Sequence, residues 1–221
     1  MGPGLPRKGT SKWSRRDDGA GLVRNVRAGL FALAVSLALH AIGPAAAEAA
    51  IAEKAAVCAT CHGENGTPID KVTPNIWGQR EGYLYLQLKD FKSGARKHEQ
   101  MQAMVADLSK EDFKALAAHF AAKPWPNLQQ PSAPKDVATK AINANTSVAC
   151  TGCHLADWQG DGTIPRLSGQ YREYLDQTTK AFRDRSRGNN PGMSDLMSAT
   201  PVDDLEALSH YLSGLEIRVE R

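Results

Sequence analysis

Strand-forming sequence is nearly missing from this chain of 221 residues, and no part of it alternates strand-like with helix-like segments. That excludes the βαβ setting in which a Cys-x-x-Cys pair serves as a thioredoxin-like redox site. A membrane-spanning run is missing as well. The apolar stretch from Ala28 to Ile42 is interrupted by Ser36 and His40, and its roughly 15 residues fall short of the ~20 that cross a bilayer as a helix. The body of the chain also lacks an excess of positive charge. There are 27 basic and 24 acidic residues in all, but residues 1–47 hold seven and two of them, which leaves 20 against 22, net −2. Nothing then points to nucleic acid as a partner. Cysteine, finally, is limited to Cys58, Cys61, Cys150 and Cys153, with none to spare.

Those four cysteines make up two copies of Cys-x-x-Cys-His, Cys58 to His62 and Cys150 to His154, set 92 residues apart. This is the attachment signature of c-type haem, written twice. Two thiols three positions apart can each form a thioether to one porphyrin vinyl group, and the adjacent histidine then faces the iron. One zinc held by both knuckles is a rival reading, but zinc does not need a histidine directly after the second cysteine of each. Two disulfides are another, and each would have to close within its own short loop or link the two halves. The reading carried forward is two covalently bound haem c groups, with His62 and His154 as proximal ligands.

Haem of this type is attached outside the bacterial cytoplasm, so the chain must be exported. Residues 1–47 read as a secretory leader: basic residues from Arg7 to Arg27, the apolar stretch, then Gly43-Pro44-Ala45-Ala46-Ala47, with cleavage after Ala47. A retained anchor is the competing reading. Arg15-Arg16 invites a twin-arginine assignment, but Asp17 and Asp18 follow where that signal prefers apolar residues. The expected location is the periplasm, with peripheral association at a membrane left open.

About 174 residues remain, and they repeat. Pro74-Asn75-Ile76-Trp77-Gly78-Gln79 matches Pro165-Arg166-Leu167-Ser168-Gly169-Gln170, Tyr83-Leu84 matches Tyr174-Leu175, and Phe91 to Arg96 matches Phe182 to Arg187. The offset stays at 91 or 92, which marks a duplicated unit of about 80 residues. The expected organisation is a first domain over 48–123, a Pro-rich linker over 124–136 and a second domain over 137–221. Pro124, Pro126, Pro131 and Pro134 deny the linker a helix and favour an extended connector.

Each unit reads as three helices around a loop-rich middle. Ala49 to Ala59 and Val137 to Ala149 lead into the haem motifs, while Gly82 to Ser93 and Tyr171 to Arg183 carry apolar residues near helical spacing. Ser109, with Asp112 three residues on, opens a last helix running to Ala122. Thr200 with Pro201 is expected to do the same in the second unit. A unit this small is marginal alone, so the haem is expected to supply much of the apolar core.

Each iron needs a sixth ligand. Met101 stands 39 residues after His62, and Met193 stands 39 after His154. Met104 and Met197 lack that partnership, since the equivalent of Met104 is Leu196. Filling core gaps is the alternative role for all four. His98 has no histidine counterpart in the repeat, only Asn189 and Asn190, so a duplicated bis-histidine site is disfavoured. His119 and His210 lie on the last helices at positions that are not equivalent.

With Cys58 to Gly63, Pro74 to Gln79, Tyr83-Leu84, Phe91 to Gly94 and a closing Leu-Ser-x-x-Asp helix, the chain resembles dihaem class I cytochromes c of the cytochrome c4 type. The resemblance implies an all-α fold of two cytochrome c domains facing one another, each haem with histidine and methionine axial ligands. It also implies that the carbonyls of Pro74 and Pro165 orient the proximal histidines. The second unit has Leu155 for Gly63, Arg166 for Asn75 and Ser168 for Trp77, so the two haem environments should differ. His/Met coordination leaves no open position on iron and raises the potential. The expected function is therefore a non-enzymatic electron carrier between a quinol-oxidising complex or dehydrogenase and a terminal oxidase or reductase. Alternatives are the cytochrome subunit of a flavocytochrome sulfide dehydrogenase or alcohol dehydrogenase, and a dihaem enzyme with one open iron.

Overall fold

Alanine-rich sequence opens the part of the chain that the structure, a computed structural model, describes: residues 44–215. The leader expected over 1–47 lies outside the described residues except for its last four, which begin α1. Among the described residues there are nine helices and no strand. The first half holds α1 (Pro44–His62), α2 (Glu81–Ser93), α3 (Glu99–Val105) and α4 (Lys110–Ala121). The second holds α5 (Lys135–Val148), α6 (Thr151–His154), α7 (Arg172–Arg183), α8 (Pro191–Ala199) and α9 (Val202–Ser213). In each half the first helix packs on the last, α1 on α4 and α5 on α9, and the middle long helix packs on the last as well. None of the described helices is long and apolar enough to cross a membrane.

The repeat extends to the core. Phe91, Val105 and Phe113 cluster in the first half, and their counterparts Phe182, Met197 and Leu205 cluster in the second. A second cluster in each half joins the first helix to the last, around Leu116, Ala117 and Phe120 and around Leu208 and Leu212. Full burial of a leucine such as Leu116 or Leu205 contributes about 1.5–3 kcal/mol. Residues 124–134 form no helix, as their prolines require, but Lys135 and Asp136 already belong to α5, Gln129 turns left-handed at φ 51, and the segment is not free. Trp125 is buried, and Gln130 donates to the carbonyls of Gln170 at 2.8 Å and Ser213 at 3.4 Å.

Three helical expectations need correction. Each half has an additional short helix, α3 or α8, where a loop is expected, because His98 and Asn190 accept a hydrogen bond from the third helical N–H and start it. The helix leading into the second haem motif does not run through. It ends at Val148, Ala149 turns left-handed at φ 57, and α6 restarts at Thr151. Thr146 and Ser147 hydroxyls donate back to carbonyls four residues earlier, while Asn145 takes the Thr151 N–H at 3.1 Å. Such side chains compete with the helix; the alanine-rich α1 has none of them at these positions and stays continuous. Thr200, lastly, does not cap α9. Its hydroxyl donates to Leu196 at 2.8 Å, and Pro201 sits at the cap with the helix beginning one residue later.

The cap of α4 forms as expected, a reciprocal box between Ser109 and Asp112. Lys54 on α1 also donates to the Asp112 carboxylate. That ammonium, and then the Ser109 N–H and hydroxyl, hold the Asp112 carboxyl down at about 2, against a small opposing effect of burial. Because the folded value lies below the unfolded one of 3.8, the stabilisation is present above about pH 4 and lost as pH falls through about 2. Asp112→Ala should cost about 1 kcal/mol at neutral pH. Urea melts at pH 7 and pH 2 check this: the gap between variant and parent should shrink in acid, and an equal gap at both would contradict it.

Candidate haem-binding sites

The end of α1 carries Cys58, Cys61 and His62 on one turn, and α6 with its flanking residue carries Cys150, Cys153 and His154. No disulfide joins the four cysteines, and burial pushes the thiols of Cys58 and Cys150 up from their ordinary value. Both histidines are buried. His62 Nδ1 lies 2.7 Å from the Pro74 carbonyl, and His154 Nδ1 lies 3.1 Å from that of Pro165. A carbonyl can only accept, so Nδ1 carries the proton and Nε2 keeps its lone pair. Burial holds both imidazoles below their ordinary pKa, with the proline carbonyls opposing it weakly, so the rings are neutral at pH 7. Two thiols and one oriented neutral imidazole per turn are the donor set that haem c requires.

Met101 and Met193 occupy the third position of α3 and α8, and each donates its N–H to the helix cap, His98 Nδ1 at 3.3 Å and Asn190 Oδ1 at 3.1 Å. Met101 is half-buried on the Phe91 cluster and Met193 on the Phe182 cluster. Gln100, the neighbour of Met101, donates to Cys61 Sγ at 3.8 Å, which sets α3 beside the first Cys-x-x-Cys-His turn. Met197 is buried where the first half has Val105, and Met104 is exposed, as is its counterpart Leu196. His98 serves as a helix cap; His119 and His210 lie partly exposed on α4 and α9.

The surroundings of the two histidines differ by an exchange of indoles. In the first half Trp77 packs against Gly66, where a Cβ would lie 2.9 Å from the ring. In the second half the counterpart of Gly66 is Trp158 and that of Trp77 is Ser168. One of these two tryptophans serves each half, Trp77 from the end and Trp158 from the beginning of the loop that follows the haem motif. Trp158 lies beside the His154 ring, inclined to it by 30° with centroids 6.3 Å apart. It takes a left-handed φ of 56, as Leu155 takes 65 in place of Gly63.

Between the halves sits a pair of guanidiniums that the sequence did not single out. Arg96 donates to Tyr174 OH at 3.3 Å, and Arg187 donates to Tyr83 OH at 3.2 Å, each the counterpart of the other; both also reach Gln87 Oε1. Arg187 is buried and Arg96 partly so, and neither pairs with a carboxylate among the described residues. Burial would push the Tyr174 phenol up, but the charges of Arg96 and Arg187 beside it hold it below the usual tyrosine range. Cations this enclosed suit acidic groups such as haem propionates. Their signal in the sequence was the matched Phe91 to Arg96 and Phe182 to Arg187 runs.

No protein-family profile matches the chain. Cytochrome c4 of Azotobacter vinelandii is 33% identical over 205 residues, covering 84% of this chain and 98% of that protein. The thiosulfate dehydrogenase electron acceptor of Stutzerimonas stutzeri is 31% identical over 174 residues, 73% of this chain and 80% of that protein. Among solved structures, reduced recombinant cytochrome c4 from Pseudomonas stutzeri superposes with a TM-score of 0.67 at 29% identity, over 76% of this chain and 98% of that one. A duplicated all-helical fold with one Cys-x-x-Cys-His turn per half defines the class: tandem class I cytochrome c domains that transfer electrons. The chain belongs to the cytochrome c4 family, and it carries two covalently bound haem c groups.

Proposed function

We propose that the chain is an exported, periplasmic electron carrier whose leader covers residues 1–47, with haem domains over 48–123 and 137–221 joined by 124–136. Cys58 and Cys61 tether one haem, with His62 and Met101 as its axial ligands. Cys150 and Cys153 tether the other, with His154 and Met193. The observation that carries this reading is that each half sets a neutral histidine, aimed by a proline carbonyl, behind its thiols and a methionine at the same helical register. A haem held by these residues would supply one-electron exchange between Fe(III) and Fe(II). Pro74 and Pro165 fix ring orientation and keep the Nδ1 proton in place. The neutral thioethers of Met101 and Met193 would supply the second protein ligand to each iron and favour its ferrous state.

Donor and acceptor are read as a quinol-oxidising complex or dehydrogenase on one side and a terminal oxidase or reductase on the other. The similarity to a thiosulfate dehydrogenase electron acceptor supports a second reading, in which the donor is one dehydrogenase that passes electrons to this chain as its dedicated acceptor. Reduction by that enzyme with thiosulfate, compared with reduction by a quinol-oxidising complex, separates the two. A redox titration tests the carrier itself. The indole exchange and the Leu155, Arg166 and Ser168 differences should give two distinct midpoints with no carbon monoxide binding to either reduced haem. A single midpoint for both would contradict the inequality, and carbon monoxide binding would contradict the closed coordination.

A further inference from the structure

Two glutamines cross between the halves, and they do the same thing in opposite directions. Gln170 of the second half accepts the Asn75 N–H at 3.0 Å through Oε1 and donates to the Asn75 carbonyl at 2.9 Å through Nε2. Its counterpart Gln79 of the first half accepts the Arg166 N–H at 2.7 Å and donates to the Arg166 carbonyl at 3.0 Å. Both side chains are buried, 2% and 5% exposed. Each oxygen also takes the N–H of its own next residue, Tyr171 at 3.0 Å and Arg80 at 2.9 Å, which leaves the amide no freedom to turn.

The amide that each glutamine grips is no ordinary one. The Asn75 N–H belongs to the same peptide unit as the Pro74 carbonyl, the acceptor of the His62 Nδ1 proton. Likewise the Arg166 N–H and the Pro165 carbonyl are two ends of one amide, and that carbonyl faces His154. A hydrogen bond accepted from the N–H of an amide draws charge toward its oxygen, so chains of such bonds reinforce one another, by about 10–30% per bond. A stronger carbonyl pulls harder on the Nδ1 proton, and an imidazole so held is the more basic ligand. Basic ligands favour Fe(III).

We propose that Gln170 and Gln79 are positioning residues that set the potential of the haem in the opposite half, each acting through one peptide group on the proximal histidine there. The inference rests on His62 and His154 being the iron ligands. Its consequence is that each centre holds its lower potential only while the halves are seated on one another. Electron affinity in one domain is thereby tied to contact with its twin.

The test uses the full holoprotein with Gln170→Met and Gln79→Met, read by redox titration and by proton NMR of the ferrous form labelled with 15N-histidine. In the parent, two haem-shifted Nδ1 protons are expected, one per ligating histidine. Gln170→Met should weaken the hydrogen bond of His62, move its Nδ1 proton upfield and raise one midpoint, leaving the His154 signal and the other midpoint in place. Gln79→Met should do the reverse. Gln170→Glu, protonated in this enclosed position, keeps both bonds and should return the His62 signal toward the parent position. If each variant moves the signals of its own half, or both halves equally, the crossing is wrong and the glutamines only hold the interface. Should the parent lack the two haem-shifted histidine protons, the ligand assignment itself fails and takes this inference with it.

Discussion

Met101→Ala should open one iron and leave the other closed. The ferric near-infrared charge-transfer band from thioether to iron should fall to half, and one haem should bind carbon monoxide after reduction. One midpoint should drop by a sizeable share of the ~0.8 V over which axial ligands move haem potentials. Met193→Ala should do the same to the other centre. The ground is the matched placement of these residues: third in α3 and third in α8, each N–H tied to the helix cap and each side chain half-buried on an equivalent phenylalanine cluster. Met197→Ala separates ligation from packing. Met197 is 4% exposed, so its truncation should cost roughly 2–5 kcal/mol of stability while the band keeps full intensity. Met104→Ala, at an exposed position, should change neither. A band halved by Met197→Ala would reassign the ligand of the second haem.

The parts of this molecule legible in its sequence are those fixed by covalent or register-bound chemistry. Cys-x-x-Cys-His is set by the reach of two thiols to one porphyrin, and a repeat with a nearly constant offset ties Met101 to Met193 without any knowledge of packing. Helices with a long apolar face or a capping box, such as α2 and α4, could be read as well. What escaped the sequence depends on partners distant along the chain. Gln79 and Gln170 appear there only as the ends of two matched motifs, and their bonds to Arg166 and Asn75 exist only once the halves have docked. The exchange of Trp77 for Trp158 looks like two unrelated substitutions until Gly66 and Ser168 are placed opposite them. Helices α3 and α8, seven and nine residues long, are too short for periodicity to show. Thr200 followed by Pro201 satisfies the pattern of a helix start, yet its hydroxyl is taken by Leu196 one turn back.

Removing the thioether anchors of one half, Cys150→Ser with Cys153→Ser, should lower haem content from two per chain to one and unfold much of that half with it. Five of the eight largest fully buried side chains are polar: Asn75, Thr200, Ser168, Ser194 and Ser209, four of them in the second half. Those four hydroxyls are satisfied locally; Ser194 donates to Arg187 and Asn190, and Ser209 to Leu205. Such bonds add little net stability. Apolar burial is left to Ala141, Ala144, Trp158, Leu175, Phe182, Met197 and the α9 leucines, a small core for a unit of about 80 residues, where burial is only marginally sufficient. The covalent haem therefore has to serve as the largest apolar group in the unit. Far-UV circular dichroism should lose a large part of the signal from α5 to α9, and haem stoichiometry should fall by half. The remaining haem would report a second effect. His62 is held by the Pro74 amide, and that amide is held by Gln170, which belongs to the half that has come apart. Its midpoint should rise, in the same direction as in Gln170→Met. Native helix content in the variant would mean that the protein core suffices without haem, and an unmoved midpoint would mean that the first centre is insulated from its twin.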